Sequence, residues 1–377
     1  MNFKKSKIRS LVLLALAAVA FCGLIWFANK DRPVYRSSNM AGTDYEVGRV
    51  LRVVEDHKTV DEEMDGIWRG SMTLEVEILT GRYKGDTAIV ENYFSSLYNV
   101  RVAEGDKISI RIDTTGEDEY NYYRVPQMIG CIVAFVLLLV LIGGKKGAKS
   151  VAGLAFTVVC ILWILLPLAL KGYSPLAVTI LLILVCNFVS FFLIDGISTK
   201  TVVVAIGSML GVLAGAVFAL IAQNAMSITT YQMDEAETLL LITSTTELKI
   251  RDLFLCGILI SCMGAVMDVA MSICSAVAEI HQVDRSLGMA KLFASGMNIG
   301  RDAMGTMANT LILAVAGTSL NMMLMIYSYD VSFQQLMNTD FVAIEIIQCI
   351  AGSVGIVCTV PLVALLSAAV FGKKTKK

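Results

Sequence analysis

Asp268 stands in CMGAVMDVAMSI, residues Cys262 to Ile273, as the single full charge in an apolar run. A carboxylate there can answer to a proton or cation, pair with a base, or clasp two helices by hydrogen bonds. Ionised at mid-membrane it costs about 2.5 kcal/mol or more, so it must be neutralised, paired or wetted. Read as a helix, the run brings Gly257, Ser261, Gly264, Ala265, Asp268, Ser272, Ser275 and Glu279 near one stripe, at steps of three and four. Small residues at that spacing let helices approach closely, which predicts that Asp268 faces protein rather than lipid. A second run, GMNIGRDAMGTMANTLILA, offers a matching stripe of Asn298, Arg301 or Asp302, Gly305 and Asn309. Asp268 and Asn309 lie about equally far from the cytoplasmic ends of their runs, so the two are expected at similar depth. Glu279, His281, Asp284, Asn298, Arg301 and Asp302 then form a mixed-sign cluster at the cytoplasmic mouth, suited to gating or binding. Two roles stay open for the stripes: a path for a solute or ion, and a hydrogen-bonded clasp between helices.

The elements that position these residues follow from composition. Of 377 residues, 56% are hydrophobic and 17% charged, and the mean hydropathy of +0.69 is that of a membrane protein. A crossing needs about 20 mostly apolar residues. Eight runs qualify, near 9–28, 126–143, 150–170, 174–194, 201–222, 253–276, 303–326 and 345–371. Lys4, Lys5, Lys7 and Arg9 precede the first run, Lys145, Lys146 and Lys149 follow the second, Lys200 follows the fourth, and Lys373, Lys374, Lys376 and Lys377 close the chain. Eight crossings put all of these on one side, which the positive-inside rule makes the cytoplasm, with both termini in it. The first run is expected to be an anchor, since its apolar stretch continues to Ala28, although a basic start before an alanine-rich run also fits a signal peptide.

Residues 31–124 hold 12 basic and 19 acidic residues, a net charge of about −7, which argues against nucleic acid and anionic lipid as partners. YEVGRVLRVVED, SMTLEVEIL, DTAIVEN and DKISIRID tend to alternate apolar and polar residues, and Asp65-Gly66, Gly81, Lys84-Gly85 and Gly105-Asp106 supply turns. Four or five short strands predict a small extracytoplasmic β-barrel or sandwich of OB- or SH3-like size. Trp68, preceded by Asp61, Glu62, Glu63 and Asp65, could hold a cation or ligand; a solvated acidic hairpin is the plainer reading.

Other polar residues carry less. Asn187 and Asp195 are expected as interfacial caps at the end of the fourth run, and MDEAETLLLITSTTELKIRD as a short amphipathic surface helix. All nine cysteines (Cys22, Cys131, Cys160, Cys186, Cys256, Cys262, Cys274, Cys349 and Cys358) fall in apolar runs, so neither a disulfide framework nor a metal site is expected. HExxH, GxSxG and Walker patterns are absent, and no enzymatic activity or cofactor is expected.

GAVMDVAMSI from Gly264, followed by SGMNIGRDAMGTMANTLILA from Ser295, resembles the signature of the YibE/F-like family of bacterial multi-span membrane proteins. The resemblance covers nearly the whole chain: one anchor, an outer strand-rich domain with GRYKGD and VAEGDKI turns, then seven spans. One departure is visible, because the family run continues NTLILAY whereas Val315 follows Ala314 here. Carried over, the motif falls on Asp268, Ser272, Glu279, Asn298, Gly300, Arg301, Asp302, Gly305 and Asn309, with Gly257, Gly264, Gly300 and Gly305 as packing positions. The family is called permease-like by analogy.

The expected architecture is therefore a membrane anchor or signal peptide over 1–30, an extracytoplasmic β-rich domain over 31–124, and a seven-helix membrane domain over 125–377. That makes an all-α bundle of about eight transmembrane helices carrying a small strand-rich domain, in the bacterial plasma membrane. The expected function is a transporter or permease-like protein of unstated substrate, with a polar path between the sixth and seventh spans. The alternative is a non-transporting scaffold or sensor whose acidic outer domain binds a ligand or partner. Expected partners are the lipid bilayer and a small solute or ion, not nucleic acid, with a homo-oligomer or a partner membrane protein left open.

Overall fold

The computed structural model describes residues 19–33, 43–64, 66–96, 98–112, 117–196, 198–228, 231, 236–329 and 331–372. The basic residues that open and close the chain, half of the first expected span, Asp65 and the side chain of Asp195 lie outside them. The chain divides into two compact units, Arg36–Leu141 and Met1–Tyr35 with Ile142–Lys377.

In the smaller unit, β1 (Asp44–Asp56), β2 (Thr59–Val60), β3 (Trp68–Ile78), β4 (Thr87–Phe94), β5 (Lys107–Ile112) and β6 (Glu117–Tyr122) share one sheet in the order β1-β5-β6-β4-β3-β2. β1 also pairs with β3, which closes the strands into a barrel and leaves β2 attached to β3 alone. Alternation supplies the core: Met72, Leu74, Val76 and Ile78 of β3, Ala88, Val90 and Phe94 of β4, and Ile108 and Ile110 of β5 are buried. β1 serves two neighbours, pairing with β5 over Asp44–Arg49 and with β3 over Gly48–Asp56. Register shifts between Val50 and Arg52 and between Val53 and Glu55 bend it between them. At the handover a Cβ on Gly48 would lie 2.3 Å from Val76 Cγ1, so the strands close only around a glycine. Strand β6 reads EDEYNY, with no apolar alternation. Its antiparallel pairing with β5 and parallel pairing with β4 make it a strand.

The larger unit is helical: α1 (Val19–Asn29), α2 (Val125–Cys160), which begins in the smaller unit, α3 (Leu166–Leu170), α4 (Pro175–Asp195), α5 (Thr199–Ala225), α6 (Ala236–Thr243), α7 (Leu253–Val283), α8 (Met289–Thr318), α9 (Leu320–Ser328), α10 (Phe333–Met337) and α11 (Asp340–Phe371). A π-helical turn, Ile161–Leu165, joins α2 to α3 just ahead of Pro167, a residue that an unbroken helix interior would not accommodate. Among the described residues five helices are long and apolar enough to cross a membrane: Val125–Leu170, Pro175–Ile194, Thr199–Ala225, Leu253–Val283 and Asp340–Phe371. Helices α8 and α9, bent by 60° to each other, make a sixth when taken together. The sequence leads one to expect eight; the first is described only from Val19, and the second and third fall within one 46-residue run. That run breaks at Gly144, whose φ of 54° and ψ of −135° only glycine adopts readily.

Helices α5, α7 and α11 form the centre, around Val204, Val212, Leu259, Val266, Ile273 and Val360. Between α5 and α11 the backbones nearly touch. A Cβ on Gly207 would lie 2.4 Å from Val363 Cγ2, one on Gly211 would fall inside contact distance of Thr359 Oγ1, and one on Gly215 would lie 2.8 Å from the Ala351 carbonyl oxygen. Dispersion from that approach holds helices together where lipid tails are as apolar as leucine. Helix α1 docks through Asn29, whose Nδ2 donates to the carbonyls of Ile25 and Trp163 at 2.9 Å each.

Candidate functional site

Helix α7 has two faces of opposite character. Phe254, Ile258, Leu259, Cys262, Val266, Ile273 and Val277 are buried, and the opposite side carries Gly257, Ser261, Gly264, Asp268, Ser272 and Glu279, all exposed. Asp268 is the midpoint of this 31-residue helix. Helix α8 repeats the division. Leu292, Gly296, Gly300 and Val315 are buried, whereas Asn298, Arg301, Asp302, Gly305 and Asn309 are exposed. Gly300 packs as its place in the motif implies, its Cβ position 3.0 Å from Ile273 Cδ1 and closer still to Val360. Gly257, Gly264 and Gly305 meet nothing within 4 Å.

The expectation that Asp268 faces protein is therefore not met by the chain's own packing. The aliphatic side of α7 is the better fit to α5 and α11 and takes the interior, which turns the polar stripe outward. The same holds on α8, so among the described residues the two stripes do not enclose a path between them. They form neighbouring outward faces of an antiparallel helix pair joined by residues 284–288.

Depth is fixed by contacts along that pair. The Cβ position of Gly296 lies 3.0 Å from Val277 Cγ2, that of Gly300 equally near Ile273, and Cys262 and Leu311 meet over Gly352. Stepping along the two helices in this register puts Asp268 level with Gly305, and Asn309 about 6 Å further from the loop at 1.5 Å per residue. The expected level with Asn309 is displaced because α8 begins at Met289, well before residue 303, and takes GMNIGRD into its body. The helix is continuous there, and the break falls after Thr318, where α9 turns away.

Asp268 and Arg301 make no ion pair with each other among the described residues; Arg301 Nη1 donates to Asn298 Oδ1 at 3.4 Å. A charge turned to lipid at the helix centre costs about 2.5–3.5 kcal/mol on insertion scales. Toward the loop, His281 Nδ1 is buried without a hydrogen-bond partner among the described residues. Asp284 accepts from Ser286 Oγ at 2.5 Å and from its N–H at 2.9 Å, and the Ser286 hydroxyl holds its carboxyl below the ordinary range. No group of three metal-binding side chains occurs among the described residues.

One further polar position departs from expectation, and two bear on the readings left open for the Trp68 loop. Asn187 is not an interfacial cap: it is fully buried between α4 and α5, donating from Nδ2 to Ser208 Oγ at 3.2 Å. The Trp68 ring is covered by Lys58 and Arg101, 5.7 and 5.3 Å from its centroid. Asp61 is taken up by Arg69 Nε at 2.6 Å and by the N–H groups of Glu63 and Met64, so it serves a structured turn instead of an open cation site. The α5 glycines escape a search for charged stripes, although GSMLGVLAG displays them at steps of four. An eight-residue helix, α6, forms in the expected surface segment with Leu240 and Leu241 exposed.

A family model described as YibE/F-like protein matches residues 131–373, a stretch that holds both polar stripes and the α5–α11 contact. No curated protein and no solved structure matches the chain.

Proposed function

The chain belongs to the YibE/F-like family, and we propose that it is an integral membrane permease-like protein whose polar path runs along the outward faces of α7 and α8. The observation that carries this reading is one polar surface built on two adjacent helices, with Gly305 level with Asp268 and Arg301 and Asn309 each about a turn from that level, on opposite sides of it. Asp268 is the ion- or proton-responsive carboxylate, and Arg301 its counter-charge or the anchor of an anionic solute. Asn298, Ser272, Asp302 and Glu279 continue the path, and no chemical transformation is assigned to it.

The topology belongs to the same proposal. A straight 46-residue helix would span about 69 Å, more than twice the hydrocarbon thickness. A turn at Gly144 makes two crossings of it, and with α1 and the bent α8–α9 pair there are eight. Lys145, Lys146, Lys200, Arg285 and Lys291 then share the cytoplasmic side with both termini, and the acidic barrel lies outside the plasma membrane.

Asp268→Asn and Arg301→Ala, each shown to insert, are expected to lower ion or solute flux in proteoliposomes at least about tenfold. Flux and phenotype indistinguishable from wild type would sink the reading. The rival, a scaffold or sensor working through the outer domain, draws on the barrel having a core of its own. It requires instead that removing residues 31–124 abolishes function while Asp268→Asn is tolerated.

A further inference from the structure

Helices α7 and α8 carry a face that no described residue of the chain covers, and it has the properties of a surface made for a copy of itself. At the level of Asp268 stands Gly305, where the position of a Cβ is open space. Arg301 lies one helical turn toward the loop, about 6 Å away along the axis, a gap that an extended arginine side chain bridges. Within one chain the two charges form no ion pair with each other among the described residues.

A two-fold axis along the membrane normal keeps every residue at its own depth, and an isologous interface must be self-complementary. This face meets that condition, since the carboxylate and the guanidinium lie a turn apart on neighbouring helices with a glycine notch between them. Lipid would leave both charges unpaired in hydrocarbon, and a dissimilar partner gives no reason for both signs to stand at matched depth. We infer that the α7–α8 face is the interface of a homodimer, in which Asp268 of one copy enters the notch at the partner's Gly305 and pairs with the partner's Arg301. Symmetry makes the contact twice. Gly264, a turn from Asp268 and equally open, lets the backbones close to that distance. The inference concerns what covers the face, and its tests read assembly instead of flux, so it stands or falls apart from the transport reading.

Two full-length, differently tagged chains without native cysteines, one carrying Asp268→Cys and the other Gly305→Cys, are co-expressed and oxidised in their membranes. Mixed-tag disulfide dimers are expected, and none when Gly305→Cys is replaced by Val217→Cys on the exposed side of α5. In chains that keep their cysteines, Arg301→Asp is expected to lower co-purification of the two tags about tenfold, and Asp268→Arg added to the same chain to restore it within about twofold. Inserted chains that stay monomeric, or charge swaps that leave co-purification unchanged, overturn the inference. So do thiols at 268 and 305 that react with an impermeant reagent yet form no mixed dimer, since water, and not a copy, would then cover the face. Should the cysteine-free chain fail to insert, the co-purification series decides alone.

Discussion

Helix α5 and the α7–α8 pair both present glycines at helical spacing, one turn apart on α5 and two turns apart between Gly257 and Gly264 on α7, yet those glycines end in opposite surroundings. Gly207, Gly211 and Gly215 are pressed against α11 so tightly that a methyl group would collide with side chain or backbone. Gly257, Gly264 and Gly305 meet nothing at all. The flanking residues differ in the same sense. The α5 glycines lie among Val203, Val204 and Val212, which are buried, whereas the α7–α8 glycines lie among Asp268, Ser272, Arg301 and Asn309, which are exposed. Glycine spacing thus announces that a helix comes close; the polarity around it says whether that helix belongs to the same chain.

The contrast is sharpest in Gly211→Leu. It is expected to cost about 3 kcal/mol or more and to abolish a monodisperse folded chain in detergent, because the leucine would have to displace Thr359 and the Gly355 backbone. A tolerated Gly211→Leu would erase the comparison. A middle effect is expected from Asn187→Ala, which removes the donor to Ser208 and leaves a small void: about 1–2 kcal/mol, read as a lowered midpoint in thermal unfolding. On the open face, Gly257→Leu should change the stability of the isolated chain by no more than about 0.5 kcal/mol, since nothing stands within 4 Å. A loss as large as that of Gly211→Leu, measured on a chain kept monomeric, would show that this face is packed after all.

The smallest effect concerns the loop that joins α7 to α8. Ser286 holds the Asp284 carboxyl below its ordinary range, so its contribution is fully present above the unfolded value of about 3.9 and fades as pH falls through the lower folded value. The protection of residues 284–288 against hydrogen exchange, taken relative to the intrinsic rate at each pH, should fall below about pH 4 and stay flat between pH 5 and 7, with α5 and α11 unaffected over the same range. A loss of protection that begins near neutral pH would implicate another group.

Much of the fold was legible because it rests on period. Four of the six strands follow runs that alternate, and most long helices follow apolar runs. What stayed hidden has physical reasons. EDEYNY becomes β6 by pairing with β4 and β5, a long-range property that its own residues do not display. The stripes on α7 and α8 were legible as stripes, since helical spacing alone defines them. Their direction was not, because it depends on which side of each helix fits α5 and α11 better. Asn187 looks like a cap while only its distance from the end of a run is known, and becomes a buried amide once Ser208 is seen across from it. The start of α8 at Met289 was hidden by the polarity of GMNIGRD, which looks like a loop until Gly296 and Gly300 are found packed.

Closure of the outer barrel has a consequence for recognition. Because β1 joins β5 on one side and β3 on the other, the ring takes up many of the backbone donors and acceptors that an open sheet would leave along its margins, the thin places being the β4–β6 seam, paired at Glu91 and Asp118, and the short β2. Adding a strand from another protein, the common way an extended peptide is captured by a sheet, is thereby confined to the β4–β6 seam and the two-residue β2. Elsewhere on this domain a partner must be read by side chains, by loops such as Thr80–Asp86, or by exposed residues such as Tyr45, Leu51, Ile89 and Tyr93. Selectivity there would consequently track side-chain chemistry and be insensitive to the partner's backbone.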